Sequence, residues 1–597
     1  KISTTAIMIL QAVTLSLSPP NISLRPSSPQ NLTAAVSGTA NTAMTSSIHL
    51  SVRTISTASL YTAPSSIQAP QTIAVAAPSD ADAIKSASAT GSLKPPPLAF
   101  TYYLDSVNGS DSNPGTMAAP WRTIAKVNST VLRPGESVGF RRGRTWHEAL
   151  VPRQSGVAGN PITFGAYGTG KNPVLDGTSS LVGWRPAPAP IYFIRVGWTP
   201  NAVFQDGQPL SNATSVDALI AGSMYYDSRT TTLYVWCTNS ASPATHTMEA
   251  THYPSQYSGL ISIPGQSYLT FQDLTIRRSN WNGIMAYSGL SLSHIIIQNI
   301  SFEYNFENDI QFTPGTSTIT YDNLTISNNT CTNSGLGRSR GFSEAVCVTI
   351  AGTNNTKVTG NVVTNQGGEA LQTNGRVSNS VFSGNVVNGA IYGIYLAAVL
   401  GDITDVTVTK NVVSNVSSYS YVIGGELSGM KIDGAKLHHN LSLNPTSAGL
   451  RFGQGIPGTD IINSVICHNT FHGGYYGTLA LGPTTNSSNI FKNNIYSGIL
   501  AGGSAWLLAD GIAANYSPDY ELLYGTQATL ISWQGTNYTL VAFQRARGKM
   551  LNSVNADPRF TNAGAGDFTL RADSPAIATG VYVPGTSTAI PPNIGAK

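Results

Sequence analysis

Charge is what this chain has least of. Over 597 residues, Asp, Glu, Lys and Arg make up 10%, against about 25% in ordinary soluble proteins. The net charge is +4 and no Lys/Arg stripe forms, so nucleic-acid binding is without support. No apolar run reaches about 18 residues, so no segment is fit to span a membrane. Cysteine is scarce as well. Four cysteines are too few for a disulfide scaffold. Cys331 and Cys347 flank one loop and would staple it in an oxidising compartment, whereas Cys237 and Cys467 cannot be paired from sequence. No Cys-x-x-Cys or clustered Cys/His spacing argues for zinc. The stretch "GTGKNP" (168–173) lacks the spacing of a phosphate loop, and Ser/His/Asp catalysis finds no support.

Small neutral residues take the place of charge. Gly occurs 58 times, and Ser, Thr and Asn fill much of the remainder, a surface suited to extracellular β-structure. Asn-x-Ser/Thr occurs fourteen times, a number that the Asn, Ser and Thr content largely accounts for. The apolar stretch "AIMILQAV" (6–13) reads as an edge strand in preference to the tail of a signal peptide.

Residues 13–92 break into short alternating strands between turn clusters, which argues for a small β-sandwich. The segments "LSLSPPNISLRPSSPQNLTAAVSGTANTAM" and "TISTASLYTAPSSIQAPQTIAVAA" resemble bacterial Ig-like domains of secreted proteins. A departure is "MTSSI" (44–48), where such domains often carry Trp. Residues 93–100 read as a stiff proline linker.

Beyond it lies a repeat that emerges on aligning one column: Asp273, Asn299, Asn323, Asn361, Asn385, Asn411, Asn440, Asn469 and Asn494. The spacing is 24–29 residues with one step of 38. The residue after the column is apolar in every coil except at Thr470. Asn tolerates the left-handed backbone of a tight bend and can stack on itself as a hydrogen-bonded ladder. This pattern predicts a parallel β-helix of about 25 residues per coil with a continuous apolar interior.

The segments "YYLDSVNGSDSNPGTMAAPWRTIAKVN", "GFRRGRTWHEALVPRQSGVAGNPITFGAYGTGKNPVLDG", "GSMYYDSRTTTLYVW" and "NADPRFTNAGAGDFTLRADSPAIATG" resemble caps and coils of the pectate-lyase-like superfamily. The expected fold class is therefore all-β: a right-handed parallel β-helix preceded by a small Ig-like β-sandwich. The expected divisions are an extension strand (1–12), the Ig-like domain (13–92), the linker (93–100), the helix with its N-terminal cap (101–500) and a C-terminal cap region (501–597). The resemblance does not choose an activity, because the superfamily includes lyases, hydrolases, epimerases and adhesins.

It does point to a face, since the cleft of those enzymes lies on the sheet that follows the longest loop. There, alternation sends Ile284, Ile310, Ala370, Ile394 and Leu450 inward, and Asp309, Gln311, Glu369, Tyr395 and Arg451 outward. Glu344 joins them if its coil keeps register. Asp309, Glu344 and Glu369 are expected to stack on consecutive coils, with Arg451 three coils on and the loop 331–343, carrying Arg338 and Arg340, overhanging. Such a stack could hold calcium and neutralise an acidic sugar, or supply the acid and base of glycoside hydrolysis; no cofactor is otherwise required. The bland reading is a solvated acidic sheet face. The Asp-Asp, Gly-His-Gly and Arg-Ile-Lys set of polygalacturonase-like hydrolases is missing. So is the Asp-Pro-His of alginate epimerases, and no lysine is placed as a lyase base. His438 and His439 align with Thr409/Cys467 and Lys410/His468 and read as ladder histidines at a turn.

From sequence, the first reading is an extracellular structural subunit of a filament or surface layer, joined to copies of itself when residues 1–12 complete a neighbour's sheet. The alternative is a secreted polysaccharide lyase or glycoside hydrolase working on Asp309, Glu344, Glu369 and Arg451. A non-catalytic carbohydrate-binding adhesin, with Tyr395, Tyr475 and Tyr476 lining a groove, is the third.

Overall fold

A chain this poor in charge and this regular in its apolar spacing buries its side chains by stacking coil on coil. The computed structural model describes residues 99–255, 258–335, 345–425, 427–453, 458–482, 486–509, 515–586 and 591–596, and before them a set of strands between residues 14 and 93. Contacts divide the chain into two compact units, Lys1–Ala99 and Phe100–Lys597.

In the first unit, Thr14–Ser18 pairs antiparallel with Thr33–Ser37. Gln71–Pro78 lies between Ser47–His49 and Ser86–Leu93, antiparallel to both. The extension 1–12 and most of the linker lie outside the described residues.

The second unit winds into three long parallel sheets. The second sheet has 13 strands and the third has 12, and each strand pairs parallel with its equivalent one coil later, except that the third sheet ends on the antiparallel strand Thr536–Tyr538. One coil shows the order. Lys357–Thr359 lies in the first sheet, Val362–Thr364 in the second and Leu371–Asn374 in the third, before Val381–Ser383 returns to the first. The fold is a right-handed parallel β-helix, the hand that parallel crossovers take.

Period-two alternation explains the interior. Phe271, Ile297, Ile326, Val358, Phe382, Val408, Leu437, Ile466 and Phe491 run up the first sheet, all at most 1% exposed. Ile276, Phe302, Cys331, Val363, Val387 and Val413 face them from the second sheet. Each such side chain contributes roughly 1.5–3 kcal/mol by leaving water.

The corners follow a rule of their own. Three residues per coil, five apart, take positive φ: 355/360/365, 379/384/389, 405/410/415, 434/439/444 and 463/468/473. Asn, Asp and Gly fill most of these positions because they tolerate the left-handed region. Lys410, His439 and His468 occupy the middle corner of their coils.

The residue after the middle corner is the ladder. Asn329, Asn361, Asn385, Asn411, Asn440, Asn469 and Asn494 are each at most 1% exposed. The Oδ1 of each Asn from 361 onward accepts both the backbone N–H and the Nδ2 of its predecessor, at 2.9–3.0 Å. The ladder ends on Glu521, whose two carboxylate oxygens accept from Asn494. Asp273 and Asn299 occupy the corner one residue earlier, and Asn323 the first corner of its coil. In those early coils Leu274 and Ile300 hold the ladder position, and Ile300 donates its N–H to Asn329 Oδ1 (3.0 Å). The sequence column thus merged two columns, because Asn serves both as bend and as buried amide.

Residues 178–251 interrupt an early coil between its second- and third-sheet strands. They fold into two small sheets, antiparallel apart from one short parallel pair, around a core of their own that includes Leu181, Val203, Met224, Leu233 and Val235. Buried ions pin this insertion to the coils: Arg278 bridges Asp176 and Glu249, and Arg277 reaches Asp176 at 2.7 Å. Burial alone would raise the Asp176 carboxyl, but the two arginines reverse the effect and hold it below its ordinary value. Near the end of the chain, the helix Leu540–Arg547, capped by Thr539, is followed by the hairpin formed by Phe560–Asn562 and Asp567–Leu570.

Candidate functional site

The face that matters chemically is the outer surface of the third sheet and the ridge of loops leading into it. Pairing of Leu371 with Ile394 sets Glu369 beside Tyr392, and Tyr392 pairs with Tyr419. One outward column therefore runs Glu369, Tyr392, Tyr419, Ala448, Tyr476. Three residues further along each strand, a parallel column runs Gln372, Tyr395, Val422, Arg451, Leu479. The Tyr392 and Tyr419 rings stack at 5.5 Å, and Tyr395 meets Tyr392 edge-on at 5.7 Å. The Arg451 guanidinium sits 5.1 Å above the Tyr419 ring, a cation–π contact. Tyr395, Ala397 and Val422 form an apolar cluster separate from the helix interior, which marks this as an outer face carrying its own small core.

The sequence-predicted acids separate. Asp309 does not face out: it is fully buried, with a carboxylate oxygen within 4.8 Å of the sulfurs of Cys331 and Cys347. At this strand start Asp309 and Ile310 both face the interior, so period-two alternation fails where the chain bends into the sheet. Asn305 donates to Asp309 Oδ1 at 2.7 Å, and burial pushes the carboxyl up to about 7 against the hydrogen bonds that favour its charge. Glu344, Arg338 and Arg340 lie outside the described residues. Glu369 does face out, 7% exposed, but Val348 pairs with Leu371. That register aligns Glu369 with Val346 and Asn308, not with Asp309. The expected stack of acids, and with it the expected calcium set, is not assembled among the described residues. Arg451 lies three coils from Glu369 as expected.

Cys331 and Cys347 form a disulfide with Cα atoms 5.9 Å apart, while Cys237 and Cys467 are free and buried. The histidines stand in their predicted columns: Thr409, His438 and Cys467 are in register, and His439 stacks on His468 at 4.9 Å. Burial and the neighbouring cations bring His438 down to about 4; burial and His439 bring His468 to a similar value.

Sequence reasoning missed Glu307. It sits half-buried on the loop ridge, its backbone N–H donating to the Trp281 carbonyl at 3.0 Å. Asn308 stacks on Asn282 and Val346 on Asn308 through side-chain-to-backbone hydrogen bonds of 3.0 and 2.8 Å. Glu307 thus stands two rungs before Glu369 along the ridge, roughly 10 Å at the spacing of parallel strands. Its signal was the "NDIQF" strand start, where the acid after Asn308 drew attention and the one before it did not.

Comparison with known proteins agrees with the fold. Residues 259–437 match the family described as right handed beta helix region. An uncharacterized protein, YwoF, of Bacillus subtilis (strain 168) is 42% identical over 78 residues, 13% of this chain and 16% of that one. Lacto-N-biosidase of Bifidobacterium longum subsp. longum is 40% identical over 73 residues, 11% of this chain and 5% of that one. The chain thus matches a small part of either relative. Among solved structures, XylC in complex with xylose covers 77% of this chain and 87% of its own, with a TM-score of 0.46 at 12% identity. The GH136 lacto-N-biosidase of Eubacterium ramulus covers 72% and 65%, with a TM-score of 0.38 at 13% identity.

Proposed function

We propose that this protein is a secreted enzyme that cleaves a polysaccharide by hydrolysis on the outer face of its third sheet. Glu369 is the central carboxylate and Glu307 the second. The observation that carries the reading is the column Glu369–Tyr392–Tyr419, a carboxylate leading straight into stacked tyrosine rings. Aromatic faces receive the apolar faces of sugar rings, and a carboxylate beside them meets hydroxyls or a glycosidic oxygen.

Hydrolysis is favoured over β-elimination by spacing. Among the described residues, the arginine named for elimination, Arg451, stands three rungs from Glu369, roughly 14 Å, too far to neutralise a uronate at the sugar Glu369 would touch; Arg338 and Arg340 lie outside the described residues. The role of Arg451 is to hold a distal unit of the chain. The Glu307 and Glu369 rungs are roughly 10 Å apart along the axis, wider than the about 5 Å between carboxyls of retaining pairs and nearer the about 6.5–9.5 Å that leaves room for a water in inverting hydrolases. No cofactor is required by this chemistry. We read residues 13–92 as an Ig-like accessory module of the secreted enzyme. The filament reading depends on residues 1–12, which lie outside the described residues, and nothing else favours it.

The test is a panel of neutral and acidic polysaccharides assayed for new reducing ends. Release by the wild type, with at least a hundredfold loss in Glu369→Gln and Glu307→Gln at unchanged fold, supports the assignment. Unsaturated products absorbing in the ultraviolet would replace hydrolysis by elimination. Full activity in Glu369→Gln would remove this face as the site.

A further inference from the structure

We propose that the cleft between the inserted domain and the ridge binds one uncharged sugar unit of the glycan chain, a binding subsite separate from the Glu369 face. The choice of ligand rests on the glycan reading above; the existence of the site does not.

The cleft encloses about 590 Å³, within the range of small-ligand pockets, roughly 300–1,000 Å³. Its aromatic wall is continuous. Trp198 stacks on His252 at 4.0 Å and His252 on Tyr253 at 4.2 Å, and Trp281, 5% exposed, completes the lining from the coil side.

The walls are fixed to one another without a ligand. Trp198 donates its indole N–H to the Thr251 carbonyl (2.9 Å). Asn280 Nδ2 donates to the Thr199 carbonyl (3.1 Å), while Asn280 Oδ1 accepts from the Asn201 N–H (2.9 Å) and the Thr251 hydroxyl (2.7 Å). A cleft already held open in this way avoids much of the ordering cost of binding.

Among the described residues, the lining contains no Lys, Arg, Asp or Glu. Its one titratable ring nitrogen set, that of His252, is held neutral near pH 7 because burial lowers its pKa. Nothing there would neutralise a carboxylate, sulfate or phosphate. What is offered is aromatic surface with hydroxyls, Thr199 and Ser255, exposed at the rim. A ligand with an apolar face, a polar edge and no charge satisfies this set, and a neutral pyranose has that form.

Position gives the site its use. Trp281 immediately precedes Asn282, the first member of the Asn282–Asn308–Val346–Glu369 column. The cleft is therefore three rungs from Glu369, roughly 14 Å, with Glu307 between. A chain of a few sugars lying along the ridge would reach from this cleft to the tyrosine column, so the cleft would set a minimum length for a good substrate.

The experiment uses the full chain and neutral oligosaccharides of two to six units from the cello-, xylo-, manno- and lacto- series, with oligogalacturonides as the charged counterpart. Binding is followed by calorimetry for the wild type, Trp198→Ala, Trp198→Phe and Glu369→Gln, each checked for an unchanged unfolding midpoint. At least one neutral series is expected to bind saturably. Its affinity should fall about tenfold or more in Trp198→Ala, an energy of about 1.4 kcal/mol, and recover to within about threefold in Trp198→Phe, which keeps a ring there. For the disaccharides, too short to reach residue 369 from the cleft, Glu369→Gln should leave the affinity in place. An unaltered affinity in Trp198→Ala, binding of the oligogalacturonides alone, or no saturable binding by any member would each overturn the proposal. A Trp198→Ala effect with undiminished turnover in Glu369→Gln would instead uphold the cleft and remove the catalytic assignment.

Discussion

Replacing Asn411 by Ala cuts the ladder at its middle. In the native chain Asn411 Oδ1 accepts from both the N–H and the Nδ2 of Asn385, each at 2.9 Å, while its Nδ2 donates to the Phe382 carbonyl (3.0 Å) and to Asn440 Oδ1 (2.9 Å). Ala leaves the Asn385 N–H without this acceptor in a buried position. It also strips one bond each from Asn385 Nδ2, the Phe382 carbonyl and Asn440 Oδ1. An orphaned buried donor costs about 1–3 kcal/mol and each of the three lost bonds about 1, so the expected loss is about 4–6 kcal/mol. Coils interact with their neighbours alone, so the damage should be local. The assay is denaturant unfolding together with amide hydrogen exchange. Exchange at the Asn385 amide should accelerate strongly, while the ladder amide of Asn329, two coils away, keeps its protection. Asn411→Asp should lose stability at pH 7, where its carboxylate cannot donate, and regain part of it on acidification. A loss under about 1 kcal/mol with the Asn385 amide still protected would refute the ladder as a stabilising element.

Asp309→Asn keeps the acceptor for Asn305 while removing the titration. A carboxyl raised from 3.8 to about 7 favours folding below its ordinary pKa, and that contribution is lost as pH rises through 7. The variant should therefore be more stable than the wild type at pH 8, by up to about 4 kcal/mol, and the gain should shrink steadily below pH 7 and vanish only near pH 3.8; urea midpoints across pH read it. His468 behaves oppositely. Its folded value of about 4 against 6.5 means that stability is complete above pH 6.5 and lost as pH falls toward 4. The loss is about 3 kcal/mol for the full shift, shared with His438 and His439 as one set. His468→Asn, which suits the positive φ there, should flatten that acid limb. Lys410→Asn at the equivalent corner should raise stability by about 1 kcal/mol, because Lys bears a left-handed backbone poorly; thermal midpoints test it.

The fold was legible because its signal is repeated. The recurring spacing over 361–494 gave coil length, and the loop-flanking pair Cys331/Cys347 is bridged; the apolar residue directly after each Asn did not mark the interior, since Val362 and Val386 are 40% and 41% exposed while Val363 and Val387 face the core. Register at the site was not legible. Asp309 reads as outward by alternation, yet two successive residues turn in where the strand begins. In the Glu369 coil Ala370 and Leu371 likewise both turn in, so Glu369 aligns with Asn308 and not with Asp309. Glu307 was hidden because loop residues carry no periodicity. The insertion over 178–251 left no repeat to break, since its strands carry the same alternation as the coils. The chemistry-bearing residues lie where the repeat is locally violated, so a periodic argument reaches the face but not the atoms.

The most direct measurement is a crystal structure of Glu369→Gln soaked with the oligosaccharide that the wild type degrades best. Sugar rings are expected on Tyr392 and Tyr419, with a glycosidic oxygen beside residue 369 and the distal end toward Arg451. Saccharide bound elsewhere, with the tyrosine column bare, would contradict it.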